Sequence, residues 1–181
     1  MIAINPDHPH AYFGLAGVAW TRYVYGTDQG DAALLKEFQK RTDKAVEVGT
    51  TWVKKHPGDA QAMMILGASY GLSSRLFIIG RHWVKGYWHG RKAVKLTKQA
   101  VDLDPELWDA YLGMGMYDYY SDLYPRFIGV LAKIVLRGNR KRGIEYLNMV
   151  ADKGHFSKSN AKILLVEIYT EDPYGAKNPL K

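Results

Sequence analysis

Few residues of this chain are spaced to do chemistry. Asp7-His8-Pro9-His10 sets a carboxylate and two imidazoles within four positions, a spacing that could hold a metal ion. Two histidines around a proline are a thin ligand set, and capping or surface roles are the expectation. His82 and His89 lie seven apart, about two helical turns. They would share one helix face, but Gly86 between them argues for a break. Glu167 stands alone in the apolar stretch 163–168, where a solvent edge or a lysine partner is expected. Cysteine is absent, which excludes disulfides and thiolate metal sites. The chain has no G-x-x-x-x-G-K, no G-x-G-x-x-G after a strand, no H-E-x-x-H and no G-x-S-x-G. We therefore expect no catalytic residue, no metal, no cofactor and no enzymatic activity.

Charge is a stronger signal. Between Ala60 and Val101 there is no acid but seven cations, Arg75, Arg81, Lys85, Arg91, Lys92, Lys95 and Lys98. Between Leu123 and Ile144 there is again no acid but six, Arg126, Lys133, Arg137, Arg140, Lys141 and Arg142. The whole chain carries a net charge of +7, so everything outside these stretches is net acidic. Cations interleaved with Trp83, Tyr87 and Trp88 suit an anionic membrane surface or nucleic acid. Phe127 to Leu136, flanked by Arg126 and Arg137, suits the edge of a bilayer. The simpler reading packs one face of each stretch inward, with the cations in solvent or paired with acids such as Asp118 and Asp122. A second aromatic concentration is Tyr117, Tyr119, Tyr120 and Tyr124. In a helix, 117, 120 and 124 share a face while 119 points elsewhere. They form either an aromatic groove or, the preferred reading, a wedge of core.

The elements that carry these residues repeat. Pro57 is followed by Ala62, then Leu66-Gly67; Pro105 by Ala110, then Met114-Gly115; Pro6 by Ala11, then Leu15-Ala16. Ala93 and Ala100 precede Pro105 as Ala45 and Trp52 precede Pro57. Small residues seven apart lie on one helix face and allow a neighbouring helix to come close. Each proline ends the helix before it and is expected to preset the first turn of the next. First helices are predicted near 9–25, 58–78, 106–122 and 158–171. Second helices are predicted near 31–56, 88–103 and 139–153, with an additional helix at 126–136. Gly26 to Gly30 reads as a turn, and 173–181 as an irregular tail. The only β-like run, Leu76 to Ile79, is short.

The order Met63, Leu66, Gly67, Tyr70, then Ala93, Ala100 and Pro105 resembles the tetratricopeptide repeat. Tyr111, Met114 and Gly115 fit the same pattern, although Asp118 stands where a tyrosine belongs. Copies of about 48–51 residues exceed the family's roughly 34, the excess falling between the paired helices. The resemblance implies an all-α fold: antiparallel helical hairpins stacked in a right-handed solenoid with inserted helical segments. It implies a single domain over 1–172, with repeats near 6–56, 57–104 and 105–156 and a partial copy at 157–172. The stretch 2–6 matches 101–105, so the chain reads as a fragment of a longer protein.

The implied function is a non-catalytic scaffold that binds a peptide or helix in a concave groove. The groove residues would be His10, Phe13, Gly17 and Trp20; Gln61, Met64, Ala68 and Gly71; and Asp109, Leu112, Met116, Tyr119 and Tyr120. The alternative is a protein that associates with membranes through basic apolar inserts at 75–98 and 123–142, using Arg75, Arg81, Lys85, Arg91, Arg126, Lys133, Arg137 and Arg140. A protein or peptide partner is expected, with a membrane surface as the alternative. Nucleic acid is not expected, because the repeats proper are acidic. No run of eighteen apolar residues occurs, so no spanning helix is expected.

Overall fold

A computed structural model of the chain describes residues 5–26, 31–123 and 138–171. Every element among the described residues is an α-helix. These are α1 (Pro9–Tyr25), α2 (Ala32–Lys55), α3 (Ala60–Ile79), α4 (Trp83–Leu103), α5 (Ala110–Leu123), α6 (Arg140–Lys153) and α7 (Lys158–Glu171). Leu76 to Ile79, the β-like run, is the last turn of α3. The expected turn at 27–30, the helix at 126–136 and the tail at 173–181 lie outside the described residues.

Helices α1, α2, α3 and α6 begin where the sequence offers an acceptor to the orphan N–H groups of a first turn, whereas α4 has no side-chain cap. Asp31 accepts from Ala33, Asp59 from Ala62 and Asn139 from Arg142. His8 caps α1 through Nδ1, with Pro9 in the first turn. Pro57 and Pro105 do not start helices, contrary to expectation. Each lies in a turn, and α3 starts only after Asp59, whose carboxylate supplies the cap.

The chain divides into two compact units, Met1–Pro105 and Glu106–Lys181. In the first, each helix packs on its neighbour in sequence, and α1 also packs on α3. Phe38, Thr42, Ala16, Ala45, Ala62 and Ala100 have essentially no exposed surface. A Cβ at Gly67 would stand 2.8 Å from Thr97 Oγ1 and 3.1 Å from the Ala93 carbonyl oxygen, so only glycine lets α3 and α4 meet there. The facing side of α4 reads Gly86, Gly90, Ala93, Thr97, Ala100, alternating in steps of four and three. Gly86 lies against Ile78 and Ser74, and the Ser74 hydroxyl donates to its carbonyl at 2.7 Å. Glycine at 86 therefore packs rather than breaks. Helix α4 starts at 83 instead of 88, and His82 sits before it rather than on one face with His89.

In the second unit α5 packs on α6, and α6 on α7. The same close approach recurs: a Cβ at Gly143 would lie 2.7 Å from the Tyr119 nitrogen and 2.8 Å from the Gly115 carbonyl oxygen. Tyr119, Leu147, Leu165 and Ile168 form the core, with Leu112, Met116 and Tyr120 packed against them. Asp118 holds Arg142 through two short contacts, Nε to Oδ2 at 2.6 Å and Nη2 to Oδ1 at 2.8 Å.

Among the described residues α3 alone is long and apolar enough to cross a membrane, since Arg75 is its one charged residue. Over half of that stretch is buried in the unit, as in a core helix.

Candidate functional site

The residues expected to line one groove separate into three groups. The first surrounds His10. The His8 and His10 rings stack at 5.4 Å between centroids, His8 meets Trp52 edge-on at 4.8 Å, and Trp52 lies 4.4 Å from His56. The Trp52 indole N–H donates to Asp59 Oδ2 at 2.9 Å. Burial lowers the His10 pKa, and the neighbouring His8 lowers it further against a small opposing pull from Asp59. With His8 engaged as a cap, this cluster braces the start of α1 and the α2–α3 turn. No group of three His, Asp or Glu side chains suited to a metal occurs among the described residues.

The second group belongs to α1 and α3. Phe13, Gly17 and Trp20 follow i, i+4, i+7 along α1; Gln61, Met64, Ala68, Gly71 and Arg75 follow one face of α3. The two faces meet where the Arg75 guanidinium lies 5.0 Å from the Trp20 ring centroid. Phe38 meets that ring at a tilt, 5.2 Å between centroids. Met64 is buried, Phe13, Trp20, Ala68 and Arg75 are half-buried, and Gln61 is exposed. Gly17 and Gly71 differ from the packed glycines: among the described residues a Cβ on either would meet nothing within 4 Å. Sequence reasoning placed Arg75 with the basic inserts. Its spacing of four from Gly71 was the signal that it belongs to this face.

The third group is not a groove. Asp109 is buried, and its carboxylate accepts the backbone N–H groups of His155, Phe156 and Ser157 at 3.2, 3.0 and 2.7 Å. It ties the loop before α7 to the start of α5, a structural role. Tyr119 is 3% exposed, and Leu112, Met116 and Tyr120 pack around it. These side chains are core because α6 and α7 cover the face of α5 that was expected to be open. Tyr120 also reaches Glu167, whose Oε1 accepts its hydroxyl at 3.3 Å.

The basic residues fall into two surroundings. Arg81, Lys85 and Arg91 are exposed, whereas Arg140 is half-buried with its guanidinium 5.4 Å from the Tyr119 ring. Arg126, Lys133 and Arg137 lie outside the described residues. Around the α3–α4 turn the cations rest on rings. Lys92 Nζ donates to Tyr70 Oη at 2.7 Å, Lys85 Nζ stands 5.7 Å from the Phe77 centroid, and Arg91 donates to Tyr87 Oη at 3.0 Å. His89 sits 4.7 Å from Phe77, and its pKa is lowered by burial, then by Lys92 and Lys85, against Asp43. Ile78, Ile79, Trp83, Val84 and Trp88 are exposed at this same end.

Compared with family models, curated proteins and solved structures, the chain matches none.

Proposed function

We propose that this protein is a non-catalytic scaffold built from elongated tetratricopeptide-like hairpins in a right-handed stack, and that the α1–α3 face holds a segment of a partner protein. The stacking is supported by the repeated approach at Gly67 and Gly115 and by α1 packing on α3 as well as on α2. The observation that carries the binding reading is the bare backbone at Gly17 and Gly71 beside Trp20 and Arg75. Glycine inside a helix costs about 1 kcal/mol relative to alanine. Among the described residues nothing packs where a Cβ would stand on these two, so they leave room for the main chain of a guest. Trp20 offers an aromatic anchor, and Arg75, held over the ring, offers a fixed fork for a carboxylate. The guest is thus a segment with one bulky apolar side chain near an acidic one.

Selection of a random peptide display library on the purified chain tests this. Enriched peptides share the apolar–acidic pair and lose binding to Gly71→Trp and to Arg75→Glu. A library that yields no shared pattern, or peptides that bind Gly71→Trp as tightly, removes the α1–α3 face as the site.

A further inference from the structure

We propose that the closed end of the α3–α4 hairpin docks on the surface of an anionic lipid bilayer. The end is apolar beyond what folding requires. Trp83, Val84 and Trp88 are 63%, 71% and 61% exposed, and Ile78 and Ile79 are each 38% exposed. Their position follows from the packing of α4. Its side of Gly86, Gly90, Ala93, Thr97 and Ala100 is used against α3, so the bulky residues at 83, 84 and 88 are left outside. Few soluble surfaces gather five large apolar side chains around one turn without a partner.

Charge names the partner. No acid occurs between Ala60 and Val101, while Arg81 and Lys85 stand exposed among the apolar residues. From another element, Asp43 of α2 is felt at His89. Tryptophan beside lysine and arginine is the composition that settles at the boundary of headgroups and acyl chains, with the rings below the phosphates and the cations level with them. Nucleic acid would satisfy the cations but would leave Ile78, Ile79 and Val84 without a use.

The end is also closed by backbone hydrogen bonds of its own. Gly80 donates to the Leu76 carbonyl at 3.0 Å, Arg81 to Ile78 at 3.0 Å and His82 to Phe77 at 2.7 Å. That closure holds Arg81 at a φ of 58°, a left-handed conformation that a residue with a side chain adopts at a cost. Docking therefore needs no folding of the main chain that carries the apolar side chains.

Co-sedimentation of the whole chain with vesicles tests the proposal, using phosphatidylcholine alone and with about one-third phosphatidylserine. Binding is expected only with the anionic lipid, weakening as salt rises. Trp83→Ser with Trp88→Ser should weaken it about tenfold or more at an unchanged circular dichroism spectrum, because both side chains are already in water. Arg81→Gly with Lys85→Ser should weaken it as well; glycine relieves the strained φ at 81, so a loss of binding is not a loss of fold. Gly71→Trp leaves vesicle binding unchanged, so this reading and the peptide-binding reading fail separately. The proposal is overturned by no sedimentation with anionic vesicles at low salt, or by equal sedimentation of the tryptophan variant. Retention of a single-stranded oligonucleotide without vesicle binding would overturn it too, and would assign the end to nucleic acid.

Discussion

In the α3–α4 hairpin of the first unit Lys92, Lys85 and Arg91 rest on aromatic rings. In the α5–α6 pair of the second, Arg140 and Lys153 also lie over rings, but Arg142 is held by a buried carboxylate, a kind of contact the acid-free α3–α4 stretch cannot make within itself. The packing beneath them is alike. Gly67 meets Ala93 and Thr97 in one hairpin, and Gly115 meets Gly143 and Leu147 in the other. The difference begins with composition. No acid lies between 60 and 101, so Lys92, Lys85 and Arg91 lean on Tyr70, Phe77 and Tyr87. In the second unit Asp118 and Asp109 are buried and engaged, one by Arg142 and one by three backbone N–H groups. Polar groups spent on internal bonds specify a fold. Lys92 and Lys85, resting on rings, keep an exposed charge. The candidate surfaces described above lie in the first unit, and in the second Asp109, Asp118 and Tyr119 are buried and serve the fold.

Breaking the shared element should have the largest effect. Gly143→Ala sets a methyl group against main-chain atoms that cannot rotate away, and is expected to cost about 3 kcal/mol in urea unfolding. Asp109→Ala leaves three backbone donors near α7 without their acceptor and should cost about 2–3 kcal/mol. Hydrogen exchange should then speed up at His155, Phe156 and Ser157. The contrast in polar contacts comes next. Asp118→Asn should cost about 1–2 kcal/mol, since the carboxylate is buried though Arg142 is partly exposed. Lys92→Met should cost under about 1 kcal/mol, the range of a cation over a ring at a partly wet site. If the two losses proved equal, the distinction between the hairpins would fall.

Smaller and opposite in sign is Gly71→Ala. Nothing opposes a methyl group there, and the fold should gain about 0.5–1 kcal/mol in thermal unfolding while peptide binding weakens. Loss of stability instead would mean that Gly71 serves packing. The smallest expected effect is on pH. Burial lowers the folded pKa of His10 and His89 from the ordinary 6.5, so the unfolded chain takes up protons first as pH falls. Their contribution is complete above about 6.5 and is lost below it. Melting temperature should fall from about pH 7.5 to 5.5, and His10→Asn with His89→Asn should flatten that slope. Asp59, pushed up by burial but held low on balance by the Ala62 N–H, the Trp52 indole and the His8 and His56 rings, acts only as pH drops to its ordinary 3.8 and beyond.

Helix positions were largely legible, because they depend on neighbours in sequence. Asp31 and Asn139 are caps by residue type, and α1 and α7 span the ranges their patterns predicted. The prolines misled by a few residues, since Asp59 competes for the role of starting α3 and wins through its carboxylate. Gly86 misled more. A glycine in a sequence reads equally as a break or as a close contact, and only Ile78 and Ser74 across the hairpin make it the second. Tyr119 and Asp109 misled because a face is open or covered according to what lies on it, and residues far along the chain, in α6 and α7, cover this one.

By itself the sequence determined that the chain is helical, where small residues recur and which stretches carry unbalanced positive charge, since all three follow from residue type and short spacing. Tertiary structure decided which of those residues remain available. Burial is a property of residue pairs brought together from distant positions, so only the assembled hairpins could divide Gly67 from Gly71, and Tyr119 from Trp83.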